Sequence, residues 1–158
     1  MAIILGIDPG SHNTGYGVIN CCGNKLQHVA SGVLRVKNDS FAIRLKEIFL
    51  GVSTIIDSFH PTEAAVEQVF VHINVNSALK LGQARGAALV ALAQHELDIA
   101  EYLPRQIKQA VVGYGASDKN QVQQMVKFLL KLKTLPTSDA ADALAVAICH
   151  ANRRRIRR

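Results

Sequence analysis

Twelve acidic residues occur in this 158-residue chain, and four of them stand in company too apolar for solvated carboxylates. Asp8 ends the run Ala2-Ile3-Ile4-Leu5-Gly6-Ile7 and is followed at once by Pro9-Gly10. Glu67 lies among Ala64, Ala65, Val66 and Val69, and Asp139 and Asp142, separated by two alanines, open an Ala-Leu-Ala-Val-Ala-Ile stretch. Most of the other acids sit where solvent is expected, Asp39 and Asp118 at caps and Glu47 and Asp57 on a polar helix face. Singly, each of the four has an ordinary explanation as a turn cap or a half-exposed strand residue. Together they do not, because carboxylates converging in a dry cleft cannot all stay ionised unaided. Hard divalent cations relieve that repulsion, and Mg²⁺ and Mn²⁺ favour carboxylate oxygen. Two such ions about 4 Å apart are a recurring clamp for in-line phosphoryl transfer. Zinc is not indicated, since the six histidines are scattered and Cys21, Cys22 and Cys149 lack ligand spacing. No G-x-S-x-G elbow, P-loop or G-x-G-x-x-G is present.

Charge is distributed to suit such a site. The net charge is +6, but five arginines between positions 153 and 158 supply most of it, leaving thirteen bases against twelve acids in the body. From Leu103 to Lys133 six bases (Arg105, Lys108, Lys119, Lys127, Lys131, Lys133) face Asp118 alone. A basic segment beside an acidic site is what a phosphodiester substrate asks for, although a lysine-studded solvent face would look the same by charge alone. The apolar fraction of 49% with only 4 Pro argues for one folded domain with a real core. No apolar stretch reaches membrane-spanning length, and no secretory leader is legible, so a cytosolic location without membrane attachment is expected.

The elements that must position the four acids follow from patterning. The first apolar run reads as a strand covered on both faces. Tyr16 to Asn20 and Leu26 to Val36 should pair with it as an antiparallel meander. Asp39-Ser40 can cap a helix with apolar positions from Phe41 to Phe59, stopped by His60-Pro61. Glu63 to Val69 is a short strand that a right-handed crossover lays parallel to the first. Asn76-Ser77 opens a helix to about Glu96, in which Gly82, Gly86 and Ala78 form a small-residue stripe. Its near-continuous apolarity fits either a dimer contact or a wholly internal helix. Asp98 to Tyr102 is a fifth strand, followed by a short helix from Pro104, a helix from Lys119 to Lys131, and a last helix from Asp139 to about Asn152. Spacing of three puts Asp139 and Asp142 on one face, and the alanines between them let that helix approach the sheet closely. The predicted architecture is a three-layer α/β domain with a five-stranded mixed sheet flanked by helices, spanning 1–152, with a basic tail at 153–158.

Four blocks in this order resemble a known family. Gly6-Ile7-Asp8-Pro9-Gly10-Ser11 with Thr14-Gly15-Tyr16-Gly17, Ala65-Val66-Glu67-Gln68-Val69-Phe70, Ser77-Ala78-Leu79-Lys80-Leu81-Gly82-Gln83-Ala84-Arg85-Gly86, and Asp139-Ala140-Ala141-Asp142-Ala143-Leu144-Ala145 are similar to the RuvC family of bacterial Holliday-junction resolvases. The resemblance covers nearly the whole chain. It implies a ribonuclease-H-like fold and a homodimeric, Mg²⁺-dependent endonuclease, with Mn²⁺ substituting and two ions at each site. Such an enzyme cuts two opposed strands of a four-way DNA junction, leaves 5′-phosphate and 3′-hydroxyl ends, and cooperates with the RuvA–RuvB branch-migration machinery. The resemblance makes Asp8, Glu67, Asp139 and Asp142 the metal ligands and Lys108 and Lys119 phosphate contacts. It makes Phe70 a base-stacking aromatic and marks Lys80 and Arg85 as further DNA contacts. The basic tail would add non-specific DNA affinity as a disordered arm.

Two other readings compete. An actin-like or sugar-kinase-type phosphotransferase also ends its first strand in an Asp-x-Gly turn, but it needs two such domains and a second phosphate loop, which this chain lacks. A junction-binding protein without catalysis is the other, and it has no use for buried negative charge beside DNA.

Overall fold

The apolar N-terminal run forms β1 (Ala2–Asp8), the middle strand of a five-stranded sheet ordered β3-β2-β1-β4-β5. The structure is a computed structural model that describes residues 1–68 and 74–156, with side chains through Arg154. β2 (Asn13–Cys22) and β3 (Lys25–Arg35) complete the antiparallel meander. Gly23 takes φ 56° at the turn between them, where the absence of a Cβ removes the strain. α1 (Phe41–Phe59) crosses back to β4 (Glu63–Glu67), and α2 (Val75–Gln94) precedes β5 (Asp98–Tyr102). β4 runs parallel to β1 and β5 parallel to β4, as crossover connections require. α3 (Pro104–Val112), α4 (Lys119–Leu129) and α5 (Ser138–Ile156) follow.

Alternation along the strands gives each sheet face its own core. Leu5, Ile7, Val18, Ala64 and Val66 pack with Ile48, Val52, Ala84, Ala88 and Leu92 of α1 and α2. Ile4, Ile19 and Ala65 face the other way, against Ile107, Val126, Leu144 and Ile148 of α3, α4 and α5. Each of the larger side chains, wholly removed from water, contributes about 1.5–3 kcal/mol. The expected three layers and mixed sheet are therefore present.

Several boundaries differ from expectation, β2 beginning at Asn13 and α4 ending at Leu129 among them, and two of the differences have a visible cause. α2 starts at Val75, because Asn74 accepts the Ser77 N–H at 3.1 Å and takes the cap that Asn76-Ser77 could also have supplied. α5 does not stop near Asn152 but continues to Ile156. The Arg154 guanidinium, one turn beyond His150, donates to both carboxylate oxygens of Glu63 at 2.7 Å. Arg153 lies over the Tyr102 ring, 5.6 Å from its centroid. The start of the basic tail is thus a helical turn anchored to the sheet, not a disordered arm.

Candidate active site

Register decides which side chains meet. In β1, Ile4, Gly6 and Asp8 share one face; β2 aligns Ile19, Gly17 and Gly15 beside them. In β4, Ile7 pairs with Val66, so Glu67 ends its strand directly alongside Asp8. Ile4, Gly6 and Asp8, their β2 partners and Glu67 face α5, whereas Ile7 and Val66 face α1 and α2. The turn after Asp8 is pinned by buried Thr14, whose hydroxyl donates to the Gly10 carbonyl at 3.1 Å.

The last helix approaches this face more closely than alanines alone permit. A Cβ at Gly6 would collide with the Ala143 carbonyl oxygen, and one at Gly15 with the Asp139 carbonyl oxygen. One at Gly17 would stand 2.7 Å from a methyl of Leu144. Glycines on the sheet and alanines on α5 together set the height of Asp139 and Asp142 above Asp8. Sequence reasoning found the alanines and missed the glycines. The signal available was three glycines at alternating positions of two strands, opposite an alanine-rich helix.

Asp8, Glu67 and Asp142 line one cleft of about 260 Å³ with Lys108, Lys119, Pro104, Ile107, Val122 and Ala145. Asp139 stands beside it, close enough for its charge to act on Asp8 and Asp142. Burial, a hydrogen bond with Glu67 and the charges of Glu67 and Asp139 push Asp8 up to about 8, with Lys119 opposing. Burial raises Glu67 too, helped by Asp142, while the bond from Asp8 and the charges of Lys108 and Lys119 counter it. Burial and the charge of Asp8 lift Asp142 to about 6 against the pull of Lys119. Burial and mutual repulsion thus disfavour full ionisation of this cluster unless positive charge is added to it.

Two cations lean over the acids. Lys119, in the first turn of α4, places Nζ 3.9 Å from Asp142. Asp118 caps that helix as expected, accepting the Gln121 N–H at 2.8 Å while the Gln121 side chain accepts the Asp118 N–H at 2.8 Å. Lys108 enters from α3, beside buried Ile107. Two other expected DNA contacts lie elsewhere. Lys80 is exposed on α2 and does not line the cleft. Arg85 binds the Glu67 carbonyl oxygen through Nε at 3.2 Å and forms an ion pair with Glu101. Phe70 lies outside the described residues.

The donor set suits a hard cation: carboxylate oxygens with raised proton affinity, and no histidine or thiol among the cleft residues. Among the described residues, no three such groups are yet drawn together tightly enough to hold an ion.

Comparison with known proteins places this arrangement. Residues 4–150 match the family model for crossover junction endodeoxyribonuclease RuvC. The chain is 59% identical over 152 residues to the protein of that name from Pseudoalteromonas atlantica, covering 96% of this chain and 88% of the relative. Among solved structures, it superposes on Thermus thermophilus RuvC with TM-score 0.88 at 35% identity, covering 98% and 96% of the two chains. On Thermus thermophilus RuvC in complex with Holliday junction substrate, TM-score is 0.91 at 34% identity, covering 99% and 96%. With a ribonuclease-H-like sheet, an acidic cleft between β1, β4 and α5, and a family match over almost its whole length, this chain belongs to the RuvC family of crossover junction endodeoxyribonucleases.

Proposed function

We propose that this chain is a homodimeric, divalent-metal-dependent endonuclease that resolves four-way DNA junctions by paired symmetric nicks in recombination and repair. The observation that carries the reading is the convergence of Asp8, Glu67 and Asp142 in one cleft with Lys108 and Lys119. Asp8, Glu67, Asp139 and Asp142 would hold Mg²⁺, or Mn²⁺ in its place. Held there, a pair of ions would supply Lewis-acid activation of a water for in-line attack and charge stabilisation at the departing 3′-oxygen, consistent with 5′-phosphate and 3′-hydroxyl ends. Lys119 and Lys108 neutralise phosphate charge at the cleft mouth and orient the strand. The apolar floor of Ile107, Val122 and Ala145 excludes bulk water, which strengthens every charge interaction inside. Phe70, three residues beyond Glu67, would stack on an unpaired base at the crossover, as the family resemblance implies.

The dimer reading rests on α2. Its buried side is Ala84, Ala88, Ala91 and Leu92. The opposite stripe carries Val75, Leu79 and Val90, exposed at 69%, 61% and 57%. Gly82 and Gly86 lie between them with nothing within 4 Å of a Cβ at either. Large apolar residues flanking a glycine pair suit a second copy of the same helix at close approach. Two-fold symmetry then presents two clefts to the pseudo-symmetric junction. Family membership supports cooperation with the RuvA–RuvB complex and a bacterial cytoplasmic location; no described helix is long and apolar enough to cross a membrane.

The test is cleavage of a labelled mobile four-way junction beside linear duplex, with Mg²⁺, Mn²⁺ or chelator. Paired metal-dependent nicks confined to the junction are expected. Equal cutting of duplex, or cutting in chelator, would refute the reading.

A further inference from the structure

We infer that Arg85 is a positioning residue for Glu67, clamping the end of β4 from behind the sheet, and does not contact DNA. The inference rests on the proposed reading of Glu67 as a metal ligand. Glu63, Ala65 and Glu67 project towards α5, whereas Ala64 and Val66 project towards α1 and α2. Glu101 is paired with Val66 and shares that second face. Arg85 comes from α2, so its guanidinium reaches β4 and β5 from the side opposite the cleft. There it donates to the Glu67 carbonyl oxygen through Nε at 3.2 Å and pairs with Glu101 through the outer nitrogen.

One planar group thereby ties three elements together at the level of the carboxylates. Asp8, the last residue of β1, is paired with Gly15 of β2, and Asp139 and Asp142 ride on a helix seated on Gly6 and Gly15. Glu67 is the last residue of its strand, and beyond it the Gln68 N–H to the Tyr102 carbonyl at 2.8 Å is the last rung among the described residues. The position of its carboxylate therefore depends on where the backbone at the end of β4 is fixed, and Arg85 holds that backbone directly. The rigid fork of arginine can serve a carbonyl and a carboxylate at once; the single ammonium of lysine reproduces only part of that.

The test measures Mn²⁺ binding to the DNA-free protein by calorimetry for wild type, Arg85→Ala, Arg85→Lys and Glu101→Gln. Alongside it, junction affinity is measured in chelator across a salt series. Arg85→Ala should weaken Mn²⁺ binding about tenfold and raise the Mn²⁺ needed for half-maximal cleavage by a similar factor. Junction affinity and its salt slope should not change. Arg85→Lys should recover part of the loss, and Glu101→Gln should shift Mn²⁺ affinity less in the same direction. If Arg85→Ala fails to fold, comparison of Arg85→Lys with wild type carries the test. Unchanged Mn²⁺ affinity with weaker junction binding and a flatter salt slope would make Arg85 a phosphate contact instead. A lower melting temperature with unchanged Mn²⁺ affinity would reduce it to a fold-stabilising residue. A wild type that takes up no Mn²⁺ would overturn the metal reading itself, and this inference with it.

Discussion

Glu63 and Glu67 are the two ends of one five-residue strand, on the same face, under the same helix. Their fates are opposite. Around Glu63, α5 brings Arg154 and His150, the latter at 2.9 Å and itself bonded to Tyr102 at 2.8 Å. Burial would raise Glu63, but the hydrogen bonds and charges of Arg154 and His150 outweigh it and hold the carboxyl below its ordinary range. Around Glu67 the same helix brings Asp142, β1 brings Asp8, and two lysines only partly compensate. An acid matched by fixed cations is a structural rivet. An acid surrounded by acids needs a mobile cation from outside, so the type of neighbour, rather than the depth of burial, separates scaffold from chemistry.

The comparison breaks most easily by removing one acid from each end. Asp8→Asn and Glu67→Gln should each lower cleavage about 10³-fold or more while leaving junction binding intact; near-normal turnover by either would end the assignment. Glu63→Gln should leave cutting by the folded enzyme unchanged. It strands Arg154 and His150 and should lower stability by about 3 kcal/mol, roughly a 10 °C fall in melting temperature. A cleavage defect at a temperature where this variant is folded would erase the distinction.

The two ends also titrate in opposite directions. Asp8, Glu67 and Asp142 have raised affinities in the folded state, so the stability they lend is full below the ordinary carboxylate range. It drains away as pH climbs through about 6 and then about 8. Glu63 is lowered, so its contribution holds above the ordinary range and is lost as pH falls through its folded value. In chelator, wild-type melting temperature should therefore decline from pH 6 to pH 8.5, the decline should be shallower in Asp8→Asn, and saturating Mg²⁺ should reverse it. Cleavage at limiting Mg²⁺ should rise over the same interval and saturate at lower pH when Mg²⁺ is raised, because ion and proton compete for the same oxygens. A profile indifferent to Mg²⁺ concentration would contradict this. The smallest effect is expected at Lys119→Ala, which should flatten the salt dependence of junction binding by about one unit of slope; an unaltered slope removes it from the contact surface.

How much of this was readable beforehand depends on the range of the interaction. Asp8 was legible because a seven-residue strand announces its own end, and Asp139 with Asp142 because helical spacing is local. The adjacency of Asp8 and Glu67 needed only the rule that crossover-connected strands run parallel. The clamp at Arg85 and the rivet at Glu63 were not legible: Arg154 lies 91 residues from Glu63 in sequence, and no periodicity links them. For the same reason the arginines after Asn152 read as a loose arm, although the first of them complete α5.

The seating of α5 on Gly6, Gly15 and Gly17 has an evolutionary corollary. A single methyl group added at Gly15 would push against the Asp139 carbonyl oxygen and shift the helix that carries both Asp139 and Asp142. The height of Asp139 and Asp142 above Asp8 is therefore set by the thickness of the floor beneath α5, not by the carboxylates alone. A Gly15→Ala lineage would have to remodel its metal chemistry before it could cut again.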